Sequence, residues 1–431
     1  MFKRIPGTKD ILPEEVSRWQ QIERIAHRIF TIYNYQEIRF PILEEASLFN
    51  RSLGNYSEVV QKQMFLTRSG KDIYALRPEG TASVARAYIE NNLDKIKGLL
   101  KVYYIGPMFR LERPQKGRLR QFHHIGCEVI GSQDSSLDAE IISLADALLN
   151  SFSINDYQIH LNSLGCKKDK HLLAQIIQNG LKDKLDRLCA DCKRRFKVNI
   201  LRILDCKNKD CQETIKQLEI QDKHLCLGCK TDFEELKENL RLLKIDYQIN
   251  PYLVRGLDYY TGMVFEITHK RLGSQDALGA GGRYDNLIEE LGGHSTPAVG
   301  FAFGVERLLL VSNFIPYNLE SKKLIYIITL DKEAKKLGLE LMNNLRKKGF
   351  CVDTDYEGKT LKGAMRKAND LKASFVIIIG EDELKKGVFT LRDMLSGGQK
   401  QLNKEQLIQE LNLGIGLKQQ SAKNATYSYL R

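Results

Sequence analysis

Four short glycine-framed stretches concentrate side chains that packing alone does not call for. Residues 76–82 (LRPEGTA) set a carboxylate, Glu79, and a hydroxyl, Thr81, in a tight Pro/Gly turn. Residues 253–261 (LVRGLDYYT) put Arg255, Tyr259 and Tyr260 beside a glycine in an otherwise apolar stretch that reads as a strand. Residues 279–285 (GAGGRYD) read as a glycine-rich turn whose backbone can approach a ligand closely, with Tyr284 as a wall. Residues 300–310 (GFAFGVERLLL) end a buried strand and open a helix carrying Glu306 and Arg307. Between the first two, residues 110–120 (RLERPQKGRLR) hold five basic residues and one acid, a local charge of +4. Arginine suits planar, bidentate contact with phosphate. Any one of these stretches reads as readily as an ordinary turn or a solvated loop. Four in order, each mixing Gly with Arg, Glu or Tyr, point to a site for a polyphosphate and a small cation-bearing ligand.

The elements that must position these groups follow from periodicity. Runs 101–109 and 121–130 are aromatic and β-branched, predicting a long antiparallel hairpin with residues 110–120 at its charged tip. Residues 14–32 carry Val16, Trp19, Ile22, Ile25, Ala26, Ile29 and Phe30 at helical spacing. Residues 34–41 predict a turn and a strand ending at Pro41. Helices are expected at 138–152, 167–180 and 305–314, and strand at 253–268 and 298–303. From 323 onward, strand 324–330, helix 332–348, strand 350–354, helix 360–372 and strand 375–379 alternate as a small α/β unit, its sheet covered on both faces. The polar, weakly patterned residues 414–431 predict a fraying tail.

Composition narrows the class. The chain has 431 residues, a formal charge of +12, 42% hydrophobic and 28% charged residues. At roughly 150 residues per domain this means two to four globular units, not a disordered chain. No apolar run nears the roughly 18–20 residues of a membrane helix. The opening MFKRIPGTKD leads into no apolar segment, so no secretory signal is expected and the cytoplasm is the default. The positive balance admits a polyanionic partner. Six of nine cysteines fall between 182 and 230, a stretch with 13 Lys/Arg against 8 Asp/Glu that reads as an insertion. Cys189-x-x-Cys192 and Cys226-x-x-Cys229 have the spacing of a tetrahedral zinc site, with Cys206, Cys211 and His224 available to complete it. The gap between the pairs exceeds that of a compact zinc ribbon. The favoured reading is therefore of small buried hydrophobes, with structural zinc on Cys189, Cys192, Cys226 and Cys229 as the alternative.

In chain order, GTKDILP, LRPEGTA, GPMFRLERPQKGR, LVRGLDYY, GAGGRYD and GFAFGVER resemble the histidyl-tRNA synthetases, a class II aminoacyl-tRNA synthetase family, over essentially the whole length. GPMFR-x-ER is similar to class II motif 2 and GFAFGVER to motif 3, with Pro41 at the place of the motif 1 proline. The resemblance implies an α+β fold. An antiparallel-sheet catalytic core at 1–320 is interrupted by an insertion domain at 165–245 facing the tRNA acceptor stem. An α/β anticodon-binding domain follows at 323–413, then the tail at 414–431. It further implies ATP-dependent attachment of L-histidine to tRNA(His) through a histidyl-adenylate, Mg2+ with the ATP, a homodimer formed through the motif 1 region, and no membrane.

The same resemblance assigns roles. Arg110 holds the α-phosphate and substrate carboxylate, Glu112 reads the adenine, Phe122 stacks beneath it and Arg307 covers its other face. Arg118 reaches the terminal phosphates, and Arg255 is the catalytic cation at the α-phosphate. Glu79 and Thr81 bind the α-ammonium, Glu128 and Tyr260 read the two imidazole nitrogens, and Tyr259 and Tyr284 line the same pocket. Arg113, Gln115 and Lys116 meet the tRNA acceptor end. Lys347, Lys348, Lys359, Lys362, Arg366 and Lys367 fit phosphate contacts or a solvated face. One departure stands out: the family's QFHQ is Gln121-Phe122-His123-His124 here, so His124 replaces a glutamine expected at the substrate ammonium. A protonated imidazole repels that ammonium, so histidine binding is expected to weaken as pH falls toward 6.

Three rival readings are weaker. A non-catalytic paralog regulating histidine biosynthesis commonly lacks the anticodon unit and loses motif arginines, whereas Arg110, Arg255, Arg307 and the C-terminal unit are all present. A class II synthetase for proline or threonine is disfavoured by LVRGLDYY and AGGRYD. A zinc-containing nucleic-acid-binding module leaves the glycine-framed arginines without a role.

Overall fold

Ten residue pairs, from Leu100 opposite Ile130 to Phe109 opposite Gln121, zip strands Leu100–Phe109 and Gln121–Ile130 into the predicted hairpin. The structure is a computed structural model and describes residues 2–54, 56–95, 98–273, 276–313 and 323–415. Two compact units, Met1–Pro316 and Tyr317–Arg431, divide the chain.

In the first unit the hairpin joins an eight-stranded sheet. The order is Gln36–Glu37, Leu100–Phe109, Gln121–Ile130, Ala298–Gly304, Ala277–Arg283, Thr261–His269, Tyr157–Ser163 and Gln248–Ile249. Pairing is antiparallel except at the two short edge strands. Alternation along each strand sorts the two faces. Tyr103, Cys127 and Val129 join Phe265 and Phe301 in a core under helices Pro13–Ile32 and Ser135–Ser151, which contribute Ile22, Ala26, Phe30, Leu144 and Leu148. Their neighbours Tyr104 and Glu128 therefore face the other way, toward the glycine-framed stretches.

Two expectations fail here for physical reasons. Residues 279–282 form no turn but lie in the strand Ala277–Arg283, paired on both sides. Its glycines make room for packing: a Cβ on Gly279 would stand 2.3 Å from the Phe303 ring. Conversely, residues 253–260 are not strand; pairing begins only at Thr261. Asn162 Nδ2 donates to the carbonyls of Pro251 and Leu253 at 3.3 and 3.0 Å, holding this segment by side-chain bonds instead of a ladder. The helix after residue 304 is Val305–Val311, shorter than expected, and residue 314 lies outside the described residues.

A separate three-stranded sheet, in the order Leu43–Glu45, Asp72–Leu76 and Phe65–Ser69, follows Pro41. Helices Lys167–Leu181, Ala190–Val198, Lys209–Lys216 and Leu227–Leu242 fill the chain between Tyr157–Ser163 and Gln248–Ile249.

In the second unit, strands Val352–Thr354, Ile325–Thr329 and Phe375–Ile379 are parallel, and Phe389–Asp393 and Gln399–Leu402 extend the sheet antiparallel. Helices Lys332–Lys347 and Lys404–Ile415 cover Ile325, Ile327 and Ile377, while Leu361–Asp370 covers Tyr326, Ile328 and Val376. Both faces are covered, as the apolar strands require; the antiparallel extension lacks such a run and was not anticipated. Of the expected tail, residues 416–431 lie outside the described residues.

Candidate active site

A cavity of about 730 Å3 lies against the polar face of the large sheet and is lined from all four glycine-framed stretches and the hairpin. At its buried end, Glu79 accepts the backbone N–H groups of Thr81 and Ala82 at 2.7 and 2.8 Å, satisfying free donors at the start of helix Thr81–Glu90. Burial raises the Glu79 pKa. Glu128 is the hub of the neighbouring network. It accepts from the hydroxyls of Thr81 at 2.8 Å, Tyr104 at 3.2 Å and Tyr284 at 2.6 Å. Desolvation outweighs those bonds and pushes its pKa up to about 8. Gly300 of motif 3 is required here, since a Cβ would stand 1.8 Å from Glu128 Oε2. Glu128 itself sits behind the wall formed by Thr81, Tyr104 and Tyr284, while Tyr260 lines the cavity directly, 4.6 Å from the Tyr259 ring. Tyr259 meets Tyr284 edge-on at 5.6 Å.

His124 also lines the cavity, its Nδ1 buried and without a hydrogen-bond partner. Burial, reinforced by Arg110, His123, Arg307 and Arg77, lowers its pKa to about 3. That shift runs against the expected protonation near pH 6 and favours a neutral imidazole acceptor. Its neighbour His123 is tied instead to Glu306, which accepts its backbone N–H at 3.0 Å and lies 3.0 Å from Nδ1.

The cations are held by fixed partners. Arg110 donates from Nε to Pro78 O at 2.9 Å, and its guanidinium lies 5.4 Å from the Phe122 ring centroid. Glu112 reaches both Arg118 Nε at 3.3 Å and Arg110 Nη1 at 3.9 Å. Arg255 Nη1 pairs with Glu266 Oε1 at 2.5 Å, leaving its buried Nε without a hydrogen-bond partner. Arg307 donates from Nε to Gly117 O at 3.0 Å and from Nη1 to Ala277 O, tying motif 3 to the hairpin tip. At that tip Arg113, Gln115 and Lys116 are exposed, outside the cavity wall.

Sequence reasoning missed five contributors. Glu266 is the lone carboxylate in an apolar strand, a signal that could have been read as a partner for Arg255. Tyr104 is masked by the aromatic run it belongs to. Arg195, Arg202 and Lys207 bring the basic insertion to the cavity, a placement no local pattern encodes.

The cysteines regroup. Cys189 and Cys192 do not meet Cys226 and Cys229; they gather with Cys206 and Cys211, while Cys226 and Cys229 gather with Cys166 and Asp169. His224 belongs to neither group and sits 3.2 Å from Ser163 O through Nε2.

Comparison with known proteins agrees with this geometry. The family described as "Histidyl-tRNA synthetase" matches residues 7–308, and "Anticodon binding domain" matches 324–412. The chain is 44% identical to a histidine–tRNA ligase of Thermodesulfovibrio yellowstonii over 95% of its own length and 97% of that relative. Among solved structures, apo histidyl-tRNA synthetase of S. aureus superposes with a TM-score of 0.78 at 32% identity, covering 95% of this chain and 99% of that one. A Bacillus halodurans protein described as an ATP phosphoribosyltransferase regulatory subunit/histidyl-tRNA synthetase shares the fold, with a TM-score of 0.64 at 22% identity over 88% of this chain and 98% of that one. With motif arginines, tyrosine-lined pocket and C-terminal unit all in place, the chain belongs to the histidyl-tRNA synthetase family of class II aminoacyl-tRNA synthetases.

Proposed function

We propose that this cavity activates L-histidine with ATP and passes it to tRNA(His), releasing pyrophosphate and AMP. The observation that carries the reading is the convergence of Arg110, Arg118, Arg255 and Arg307 on one cavity whose far end is a buried tyrosine–carboxyl network. In the first step a histidine carboxylate oxygen attacks the α-phosphorus. A C–O–P linkage forms, and the bond to the pyrophosphate oxygen breaks. Negative charge grows on phosphate oxygens, so preplaced guanidinium groups lower the barrier without reorganising. Arg255 and Arg110 are our choice for that position, with Arg118 on the departing pyrophosphate and Phe122, Glu112 and Arg307 around the adenine.

At the other end, Tyr260 and the Glu128 network read the imidazole. A neutral imidazole has one donor and one acceptor, and the phenols that line the cavity, held by the carboxyl behind them, can answer both. Another amino acid leaves those buried groups unpaired, a strong filter. Glu79, Thr81 and neutral His124 take the α-ammonium. In the second step the tRNA terminal hydroxyl attacks the adenylate carbonyl and AMP departs, with Arg113, Gln115 and Lys116 steering the acceptor end.

A divalent ion carried by ATP, Mg2+ in our reading, would supply charge screening at the phosphates. Of the cavity carboxylates, Glu112 and Glu266 are shared with arginines and Glu306 with His123, so these three would hold it only as supplementary ligands. The second unit binds the anticodon arm, with Lys347, Lys348, Lys359, Lys362, Arg366 and Lys367 available to its phosphates. In our reading the enzyme works in the cytoplasm, as a homodimer. Among the described residues no helix is long and apolar enough to cross a membrane. The test is pyrophosphate exchange into ATP in the presence of single amino acids. Exchange restricted to L-histidine supports the reading, and exchange with proline or threonine, or none, overturns it.

A further inference from the structure

The regrouped cysteines make a site that the synthetase reaction does not use. Cys189 caps the start of helix Ala190–Val198 and Cys192 lies three residues on, so both sulfurs point past the same helix end. Cys206 closes the turn Ile200–Asp205. Cys211 lies in the first turn of helix Lys209–Lys216, its N–H held at 3.1 Å by the capping Asn208. All four sulfurs lie within 4.8 Å of one another, and no two form a disulfide. A zinc ion with four sulfurs at about 2.3 Å requires sulfur–sulfur edges of about 3.8 Å. Cys189 Sγ and Cys206 Sγ are 3.8 Å apart. The backbone N–H of Cys189 donates to Cys211 Sγ at 3.1 Å, the outer hydrogen bond that steadies a metal-bound thiolate. Cys192, Cys206 and Cys211 are buried, and no carboxylate belongs to the group.

From this geometry we propose that Cys189, Cys192, Cys206 and Cys211 bind one structural Zn2+ as a tetrathiolate. Binding displaces the thiol protons to solvent, and the ion ties two short helices and a turn to one another. The consequence reaches the cavity. Cys206 and Arg202 line it, Arg195 donates to Arg202 O at 3.1 Å, and Asn199 donates to Asp258 Oδ1 at 2.8 Å, in the segment that carries Arg255 and Tyr259. The zinc is thus a clamp that holds the basic insertion in place beside the catalytic arginine.

The second group, Cys166, Asp169, Cys226 and Cys229, differs. Asp169 accepts the N–H of Cys166 at 3.3 Å and is hydrogen-bonded by Cys226 and Cys229 as well. A carboxylate at the centre accounts for that gathering without an ion, so the proposal is confined to the first group.

The test is metal analysis and X-ray absorption on the full chain as purified from cells. One tightly held zinc per chain, surrounded by four sulfurs at about 2.3 Å, is expected. Cobalt exchanged into the same protein should show the intense visible bands of a tetrahedral tetrathiolate. Cys211→Ser should lose that equivalent and those bands, whereas Cys226→Ser should keep both. Should Cys211→Ser fail to fold, the absorption data on the parent still decide, because the second group presents three sulfurs and an oxygen. A metal-free parent, a mixed sulfur–oxygen shell, loss of the ion in Cys226→Ser, or disulfides among the four cysteines would each overturn the proposal.

Discussion

Tyr284 donates its hydroxyl to Glu128 Oε2 at 2.6 Å, joining the glycine-rich strand to the hairpin across the floor of the cavity. Because burial raises the Glu128 pKa from 4.5 to about 8, the native state keeps a proton that the unfolded chain releases. The contribution of this group to stability is full below pH 4.5 and is lost as pH rises toward 8. Glu128→Gln preserves the shape and has no proton to lose. Denaturant unfolding of both proteins between pH 5 and 8 should show a shallower decline in the variant; equal slopes would refute the assignment.

His124 has the opposite sign. Its pKa is lowered from 6.5 to about 3, so stability from this site is present above pH 6.5 and is lost as pH falls through that value toward 3. His124→Gln should soften the acid-side loss of stability over this window. Its KM for histidine should track that of the parent from pH 8 to 5.5, since neither side chain is charged there. A KM for the parent that rises over that range while the variant's stays level would mean that the imidazole protonates after all.

Arg255 and Glu266 act as a unit through their 2.5 Å ion pair. Arg255→Gln removes the charge proposed to act at the transition state and should slow adenylate formation by about 10²-fold or more. Glu266 is a positioning residue. Glu266→Gln should lower the rate of adenylate formation by about 10-fold with little change in the KM for histidine, since a loosened guanidinium loses orientation more than charge. Added to Arg255→Gln, the second substitution should change little further, because partners in one ion pair are not additive. Single-turnover adenylation with the two single variants and the double variant measures this directly, and additive losses would count against coupling.

What could be read from the chain, and what could not, divides along a physical line. The hairpin, the first helix and the parallel strands of the second unit were legible because their apolar periodicity is local. The site residues were legible as types, since Arg, Glu and Tyr framed by glycine have few other uses. Their partners were not. Glu128 reads from sequence as a ligand-facing carboxylate, yet three hydroxyls from distant segments place it behind the cavity wall. The low pKa of His124 comes from burial and arginines far away in sequence. Residues 279–282 looked like a turn because glycine signals both freedom and close approach, and only the Phe303 ring decides between them.

The dimer expected from motif 1 has a candidate surface. In the three-stranded sheet, Leu66 pairs opposite Ala75 and Arg68 opposite Ile73, so Leu66 and Ile73 share one face. They are 56% and 41% exposed, with Ile42 exposed nearby, an apolar surface that water covers poorly. The central strand of that sheet, Asp72–Leu76, runs straight into Arg77, whose guanidinium donates to Phe40 O at 2.7 Å and Pro107 O at 2.8 Å, and then into Pro78 and Glu79 of the cavity. Covering this sheet should therefore steady the end of the site proposed for the histidine ammonium. Sedimentation velocity at micromolar concentration should give a dimer for the parent and a monomer for Leu66→Asp combined with Ile73→Asp. The monomer should fold, by circular dichroism, yet lose most histidine-dependent pyrophosphate exchange. A parent that sediments as a monomer, or a doubly charged variant that stays dimeric, removes this sheet from the interface.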